Sequence, residues 1–254
     1  MPLDLGAFND SLVGPGRGLQ LRGGPHAGRL LFAVHHGEGG PSTSAWKRTN
    51  AILISDDGGG TWRVGAQLSG MDEAQLAESG ANGEVTIAAR VHSGPGWSPS
   101  HPVSCLLANG SWSKQECTLI ATSRDGGETF GPISRNFDLF QPPGGCAPGL
   151  AADPGNLGAG SLFFSNPDST TERANMAVRH STSHGATWGT PTVIYPGPSA
   201  YSCLAPLFPA TGTHRVGLLY ERDAPGCTGP SCAIHFVPIA TPAKLKTDDL
   251  RLTV

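Results

Sequence analysis

The stretch SDDGGGTW, Ser55 to Trp62, recurs as SRDGGETF, Ser123 to Phe130, and as STSHGATW, Ser181 to Trp188. The starts lie 68 and then 58 residues apart. Each copy carries the chemistry of a tight turn. Serine closes a strand, an aspartate or neighbouring polar group bonds the turn amides, and glycine supplies a left-handed residue. Threonine then re-enters extended chain, and Trp or Phe packs beneath the turn. In the third copy His184 stands in for the second aspartate, a change that an architectural motif tolerates. The octapeptide is therefore read as a hairpin staple, used once per repeating sheet.

Outward from the staples, short apolar or alternating runs recur: Arg29–His36, Ala51–Ser55, Glu84–Val91, Thr118–Ser123, Ser161–Ser165, Arg215–Glu221 and Ala233–Ala240. Each has strand length and is bounded by Gly, Pro, Asn or Asp. No segment keeps a helical period for three turns. Gly 36 and Pro 22 together fill over a fifth of the 254 residues, which suits many turns and short strands. The expectation is one all-β domain over residues 1–254. A unit near 60 residues with one hairpin signature each predicts a β-propeller.

The formal charge of −3 provides no electrostatic footprint for nucleic acid or an anionic membrane. An anionic ligand would have to be held by a few placed arginines. No run approaches the ~18 apolar residues of a transmembrane helix. MPLDLGAFNDSLVGPGRG, with Asp4 and Asp10 and no apolar core, does not read as a signal peptide. Cys227 could pair with Cys232, and Cys105 with Cys117, or the six thiols could stand free in a reducing compartment. Asn9 and Asn109 each open a glycosylation sequon, a match common by chance. The compartment is left open by these signals. No His/Cys spacing resembles a metal site.

With the staples set aside, a few charged and aromatic positions remain. Glu73 heads one strand and Arg90 ends the next; Arg173 lies between the second and third staples; Tyr201 sits in PGPSAYSCLAPL, and Glu221 in LLYER. The order of motifs from GPGRGLQL (Gly14–Leu21) resembles the exo-α-sialidase (neuraminidase) family, closest to the lysosomal type of animal enzymes and their bacterial relatives. It continues through GRLLFAVHHG, SDDGGGTW, DEAQLAE, AAR, FFSNP and PGPSAYS to LLYE. The Asp boxes alone are weak evidence, but the ordered set covers nearly the whole chain.

The resemblance implies a six-bladed propeller and hydrolysis of terminal sialic acids from glycoproteins, glycolipids or oligosaccharides. It implies that Tyr201 is the nucleophile and Glu73 the group that takes its proton. Arg90 and Arg173 match two of three arginines gripping the substrate carboxylate, and Glu221 matches a glutamate orienting the first arginine. Asp72 and Glu78 compete with Glu73 for the base, and Arg179 competes with Arg173. His35 and His36 read as structural or solvent-facing. No cofactor is required, and a lysosomal or secretory address follows from resemblance alone.

The chemistry fits those residue types. Sialic acid carries a carboxylate on its anomeric carbon, so a carboxylate nucleophile would meet like charge, whereas a phenol does not. A tyrosine of pKa about 10 needs an adjacent base. Arginine forks match a carboxylate in bidentate fashion and stay charged. Arg90 and Arg173 are accordingly expected to converge, with the Tyr201 oxygen within hydrogen-bond reach of Glu73.

Two family features have no counterpart: the first clamp arginine, in a Phe/Tyr-Arg-Ile-Pro motif, and the acid/base aspartate. Arg17 aligns with an ordinarily small residue, and Asp4 and Asp10 lack motif context. The expectation is a chain beginning within the second blade, with about four to five blades and very low activity on its own. The alternative is a non-catalytic Asp-box propeller serving as a carbohydrate- or protein-binding platform.

Overall fold

A computed structural model of the protein describes residues 9–38, 47–91, 116–156, 158–208 and 215–240. Among them there are antiparallel strands and no helix. The first sheet runs β1 (Asn9–Val13), β3 (Leu30–Glu38), β4 (Lys47–Ser55), β5 (Arg63–Ser69), with β2 (Leu19–Gln20) also on β3. The second runs β6 (Ala74–Glu78), β7 (Val85–Arg90), β8 (Glu116–Ser123), β9 (Ser134–Gln141). The third joins β10 (Gly149–Ala152), β11 (Leu162–Pro167), β12 (Ala174–Ser181), β13 (Thr192–Leu207), β14 (Arg215–Arg222) and β15 (Ala233–Ala240). The all-β expectation is met, and each apolar run singled out from the sequence falls in a strand.

The third sheet divides at β13. Its first part, Thr192 to Pro198, pairs with β12, and Ser199 to Leu207 pairs with β14. Pro196 and Pro198 lie where the strand changes partner, since proline cannot donate to a continuing ladder.

Side-chain alternation explains how the sheets stack. In β6 and β7, Leu76, Ile87 and Ala89 join one core cluster with Leu31, Ile52 and Ile54 of the first sheet. Their neighbours Ala77 and Ala88 point the other way, into a cluster with Leu150, Leu162 and Phe164. The second sheet is thus buried on both faces by a period of two. The same holds in β11, where Phe163 faces away from Leu162 and Phe164, toward Leu204, Val216 and Leu218. Each such fully buried Leu, Ile or Phe contributes about 1.5–3 kcal/mol relative to exposure.

The three octapeptides join β4 to β5, β8 to β9 and β12 to β13. In the first, Ser55 Oγ accepts from Gly59 N at 2.9 Å. Asp57 accepts from Thr61 N at 2.8 Å and from the Thr61 hydroxyl at 2.7 Å. Trp62 Nε1 donates to Gly59 O, and its ring lies 5.5 Å from Phe32. The second copy repeats these bonds through Ser123 and Asp125.

The third copy corrects the sequence alignment. Ser183, not His184, takes the place of Asp57 and Asp125, and its hydroxyl accepts from Thr187 N at 2.8 Å. His184 occupies the position of Gly58 and Gly126, at φ 56° against their 72° and 68°. A non-glycine residue there is uncommon; the His184 Nδ1 contact to Ser79 O, 2.8 Å, holds it in place.

Cys227 and Cys232 form a disulfide. Cys117 is also disulfide-bonded, while Cys105, Asn109 and Asp4 lie outside the described residues. Asn9 starts β1.

Candidate active site

The candidate residues meet at one end of the sheets, opposite the octapeptide hairpins. In the β7–β8 ladder Val85 faces Ser123 at the hairpin end, and Arg90 faces Thr118 at the other. Glu73 immediately precedes β6. Arg90 N donates to Glu73 O, and Asp72 N donates to Arg90 O, so the 72–73 pair and Arg90 are locked side by side by backbone alone.

Tyr201 reaches them through a bulge. Between the pairs Ser199↔Arg222 and Ser202↔Tyr220, β13 spends one residue more than β14. A bulge re-aims side chains, and here Glu221 on β14 accepts from Tyr201 N at 3.2 Å and from Ser231 Oγ at 2.8 Å. Glu221 therefore fixes the tyrosine's backbone.

Tyr201 Oη donates to Glu73 Oε1 at 2.9 Å. Arg90 Nε lies 2.9 Å from Glu73 Oε2, an ion pair without the alignment of a hydrogen bond. Arg90 Nη1 donates to Tyr201 Oη at 3.3 Å. Arg173, just before β12, donates through Nη2 to Gly145 O at 2.8 Å, and Arg90 Nη1 reaches the same carbonyl at 3.4 Å. Both guanidinium carbons stand 5.8 Å from the centre of the Tyr201 ring. The structure thus brings Glu73, Arg90, Arg173 and Glu221 around Tyr201.

The rivals go elsewhere. Glu78 accepts from the backbone N–H groups of Arg22 and Gly23. Arg179 pairs with Asp168 at 3.0 Å. His35 Nδ1 meets Gly14 O at 2.9 Å. Arg17 donates to Leu204 O and Gly18 O, tying the first sheet to β13. Asp72 has a different part: its carboxylate lies 3.2 Å from both Nε and Nη2 of Arg90 and 3.8 Å from Arg48 Nε. Asn50 Nδ2 donates to its carbonyl at 2.8 Å. Sequence reasoning considered Asp72 only as a competing base; the β6–β7 register sets Arg90 opposite Glu73, so alternation gave no signal for the Asp72 contact. Cys146 was also missed. Its buried thiol is pushed up to about 12 by burial, with Arg173 and Arg90 acting against that rise.

Burial governs the protonation states. It raises Glu73 above the usual carboxylate range, and the Arg90 charge opposes it. It also lifts Tyr201 to about 12, again against Arg90. Burial lowers Arg90, but Asp72 and Glu73 outweigh it and the guanidinium is raised overall. The result is a neutral phenol hydrogen-bonded to a base, beside fixed positive charge. Among the described residues no group of three His, Cys, Asp or Glu side chains is placed to hold a metal ion.

Stacked antiparallel sheets closed by Ser-Asp-Gly-Thr-Trp hairpins, with ionisable side chains gathered at the far strand ends, define an all-β protein of Asp-box type. The comparisons with known proteins are narrower. The chain is 34% identical over 212 residues to the sialidase of Micromonospora viridifaciens, covering 81% of this chain and 28% of that protein. It is 25% identical over 241 residues to human Sialidase-3, covering 77% and 50%. The microbial sialidase Hz136 superposes with a TM-score of 0.64 at 27% identity, over 92% of this chain and 38% of that one. The NanB sialidase of Streptococcus pneumoniae gives 0.66 at 21% identity, over 95% and 33%, a likeness of fold alone. No protein-family model matches. The chain belongs to the sialidase family of glycoside hydrolases. It spans half or less of the length of these relatives.

Proposed function

We propose that this chain carries the nucleophile-and-clamp portion of a retaining exo-α-sialidase built as a six-bladed propeller, its sheets being successive blades. The observation that carries the reading is the 2.9 Å hydrogen bond from Tyr201 Oη to Glu73, beside two guanidinium groups that share the Gly145 carbonyl. The substrates are terminal sialic acids of glycoproteins, glycolipids or oligosaccharides.

Arg90 and Arg173 hold the sugar carboxylate and place its anomeric carbon over Tyr201. A free phenolate at pH 7 would cost roughly 7 kcal/mol for a pKa of about 12. Glu73 avoids that cost by accepting the proton as the Oη–carbon bond forms and the bond to the leaving oxygen breaks. A raised Glu73 pKa makes it a stronger base, closer to the phenol it serves. The departing oxygen takes its proton from an acid outside this set of five residues. Water then attacks the anomeric carbon, giving a proton to the conjugate base of that outside acid, as the bond to Tyr201 Oη breaks and the proton on Glu73 returns to the phenol. Two successive displacements leave the anomeric configuration retained. A purely structural platform has no need of a half-buried phenol hydrogen-bonded to a buried base.

The test is release of fluorophore from an α-sialoside by this chain and by one extended upstream, with proton NMR reading the first anomer released. Tyr201→Phe is expected to lower turnover at least about 100-fold in whichever form is active, and the α anomer is expected first. Unchanged turnover in Tyr201→Phe, or the β anomer first, overturns the proposal.

A further inference from the structure

The first and second hairpins are zipped together by charge. Arg29, just before β3, pairs with Asp56 at 2.6 Å and with Glu128 of the next hairpin at 2.9 Å. Arg63, just after the first hairpin, pairs with both Asp56 and Glu128. The seam is full.

The corresponding positions one sheet later are filled differently. Glu84 stands before β7 where Arg29 stands before β3, and Arg124 takes the place of Asp56. Gly131 replaces Arg63, Ala186 replaces Glu128, and Phe130 replaces the Trp of the other two hairpins. Three large side chains have thus become small or smaller. The seam between the second and third hairpins is accordingly an open cleft of about 890 Å³, and all five of these residues line it. Arg124 is exposed and makes no hydrogen bond or ion pair with another described residue. Glu84 uses one oxygen on Asn82 N.

The cleft lies at the hairpin end of β7, five residue steps, about 17 Å of strand, from Arg90. Its volume suits a ligand of several hundred daltons. The charged lining is mixed in sign: the Arg124 guanidinium, the Glu84 carboxylate and the Asp125 carboxylate, the last already bonded to Thr129 N and Ser123 Oγ. No single sign of charge is therefore set up for a strongly ionic ligand. The first two are planar groups suited to pairs of vicinal hydroxyls, and Ser134 and the half-buried ring of Phe130 add a hydroxyl and an apolar wall. We infer that this cleft is a second binding site, for an uncharged saccharide segment, made by deleting the ion-pair zipper that fills the preceding seam. It does not depend on Tyr201.

The experiment is saturation-transfer NMR on the 254-residue chain with lactose, N-acetyllactosamine and mannotriose. At least one sugar is expected to show transfer. Arg124→Ala and Ala186→Trp, the latter filling the cleft, are each expected to weaken binding at least 10-fold, with thermal unfolding unchanged. Tyr201→Phe is expected to leave it intact, so failure of the catalytic reading and failure of this one are separable. Absence of transfer with all three sugars overturns the inference, as does transfer that survives Arg124→Ala. Should Ala186→Trp not fold, Arg124→Ala decides, because its side chain is exposed.

Discussion

Arg90→Met removes a charge while keeping most of the side-chain volume, so it tests electrostatics with little cavity formation. The arginine side chain is 10% exposed, Glu73 10% and Asp72 2%. Breaking a buried pair by removing one partner costs about 3–5 kcal/mol, because the remaining charge is left desolvated. Here the loss is tempered on both sides. Asp72 keeps Arg48 Nε at 3.8 Å, and Glu73 keeps the Tyr201 hydroxyl at 2.9 Å. The low end, about 3 kcal/mol, is therefore expected, or about 6–12 °C in Tm for a chain this size. The loss must also depend on pH. Without Arg90, burial raises Glu73 further above its ordinary value of 4.5. A carboxyl whose folded pKa is raised stabilises the fold only while protonated, and that contribution fades as pH climbs through the folded pKa. Urea unfolding should thus show a larger deficit against the parent at pH 8 than at pH 5. A loss under about 1 kcal/mol, or the same loss at both pH values, would refute the claim that these carboxylates depend on Arg90.

Glu73→Gln in an active form should lower kcat/KM by about 10²–10⁴ and abolish the acid limb of its pH profile. In the parent that limb should lie above the ordinary glutamate range, since Glu73 must lose its proton to act and burial resists this. Asp57→Asn should lower Tm at pH 7. The Asp57 carboxylate is held at about 2 by the Thr61 amide, the Thr61 hydroxyl and the Ser55 hydroxyl, below its usual 3.8. A depressed carboxylate contributes stability above its unfolded pKa and loses it as pH falls through the folded one. The Tm gap from the parent should therefore close between about pH 4 and pH 2. Phe163→Ala should cost about 3–5 kcal/mol in urea unfolding, since Phe163 is 1% exposed and packs in the core shared by β12, β13 and β14.

The strands and hairpins were legible because each rests on local chemistry: an apolar run, a turn glycine, a hydroxyl or carboxylate four residues from the threonine amide it binds. The slip at the third hairpin arose from the same locality. Both Ser183 and His184 differ from the other copies, and only the φ of His184 and the bond from Thr187 N to Ser183 show which replaced what. Arg173 was preferred to Arg179 by resemblance, not by any local signal; in the structure Arg179 sits opposite Phe164 and pairs with Asp168. The bulge at Ala200–Tyr201 left no signal, because it is a mismatch between β13 and β14 and belongs to neither alone. The open cleft was illegible for a related reason. It is made by small residues, Gly131 and Ala186, which mean nothing until set against Arg63 and Glu128 on the preceding seam.

Strand direction separates what folds this chain from what it is proposed to do. Every octapeptide lies at one strand end, where Asp57, Asp125 and Ser183 satisfy threonine amides at the surface. The residues around Tyr201 come from five places at the other end: the start of β6, the end of β7, the approach to β12, the bulge of β13 and the end of β14. A hairpin defect such as Asp57→Asn should therefore change Tm while leaving the Tyr201–Glu73 distance, and any activity that depends on it, unmoved. Arg90 is the exception. It supplies charge to the site and also compensates two buried carboxylates, so no substitution there can weaken the proposed clamp without weakening the fold.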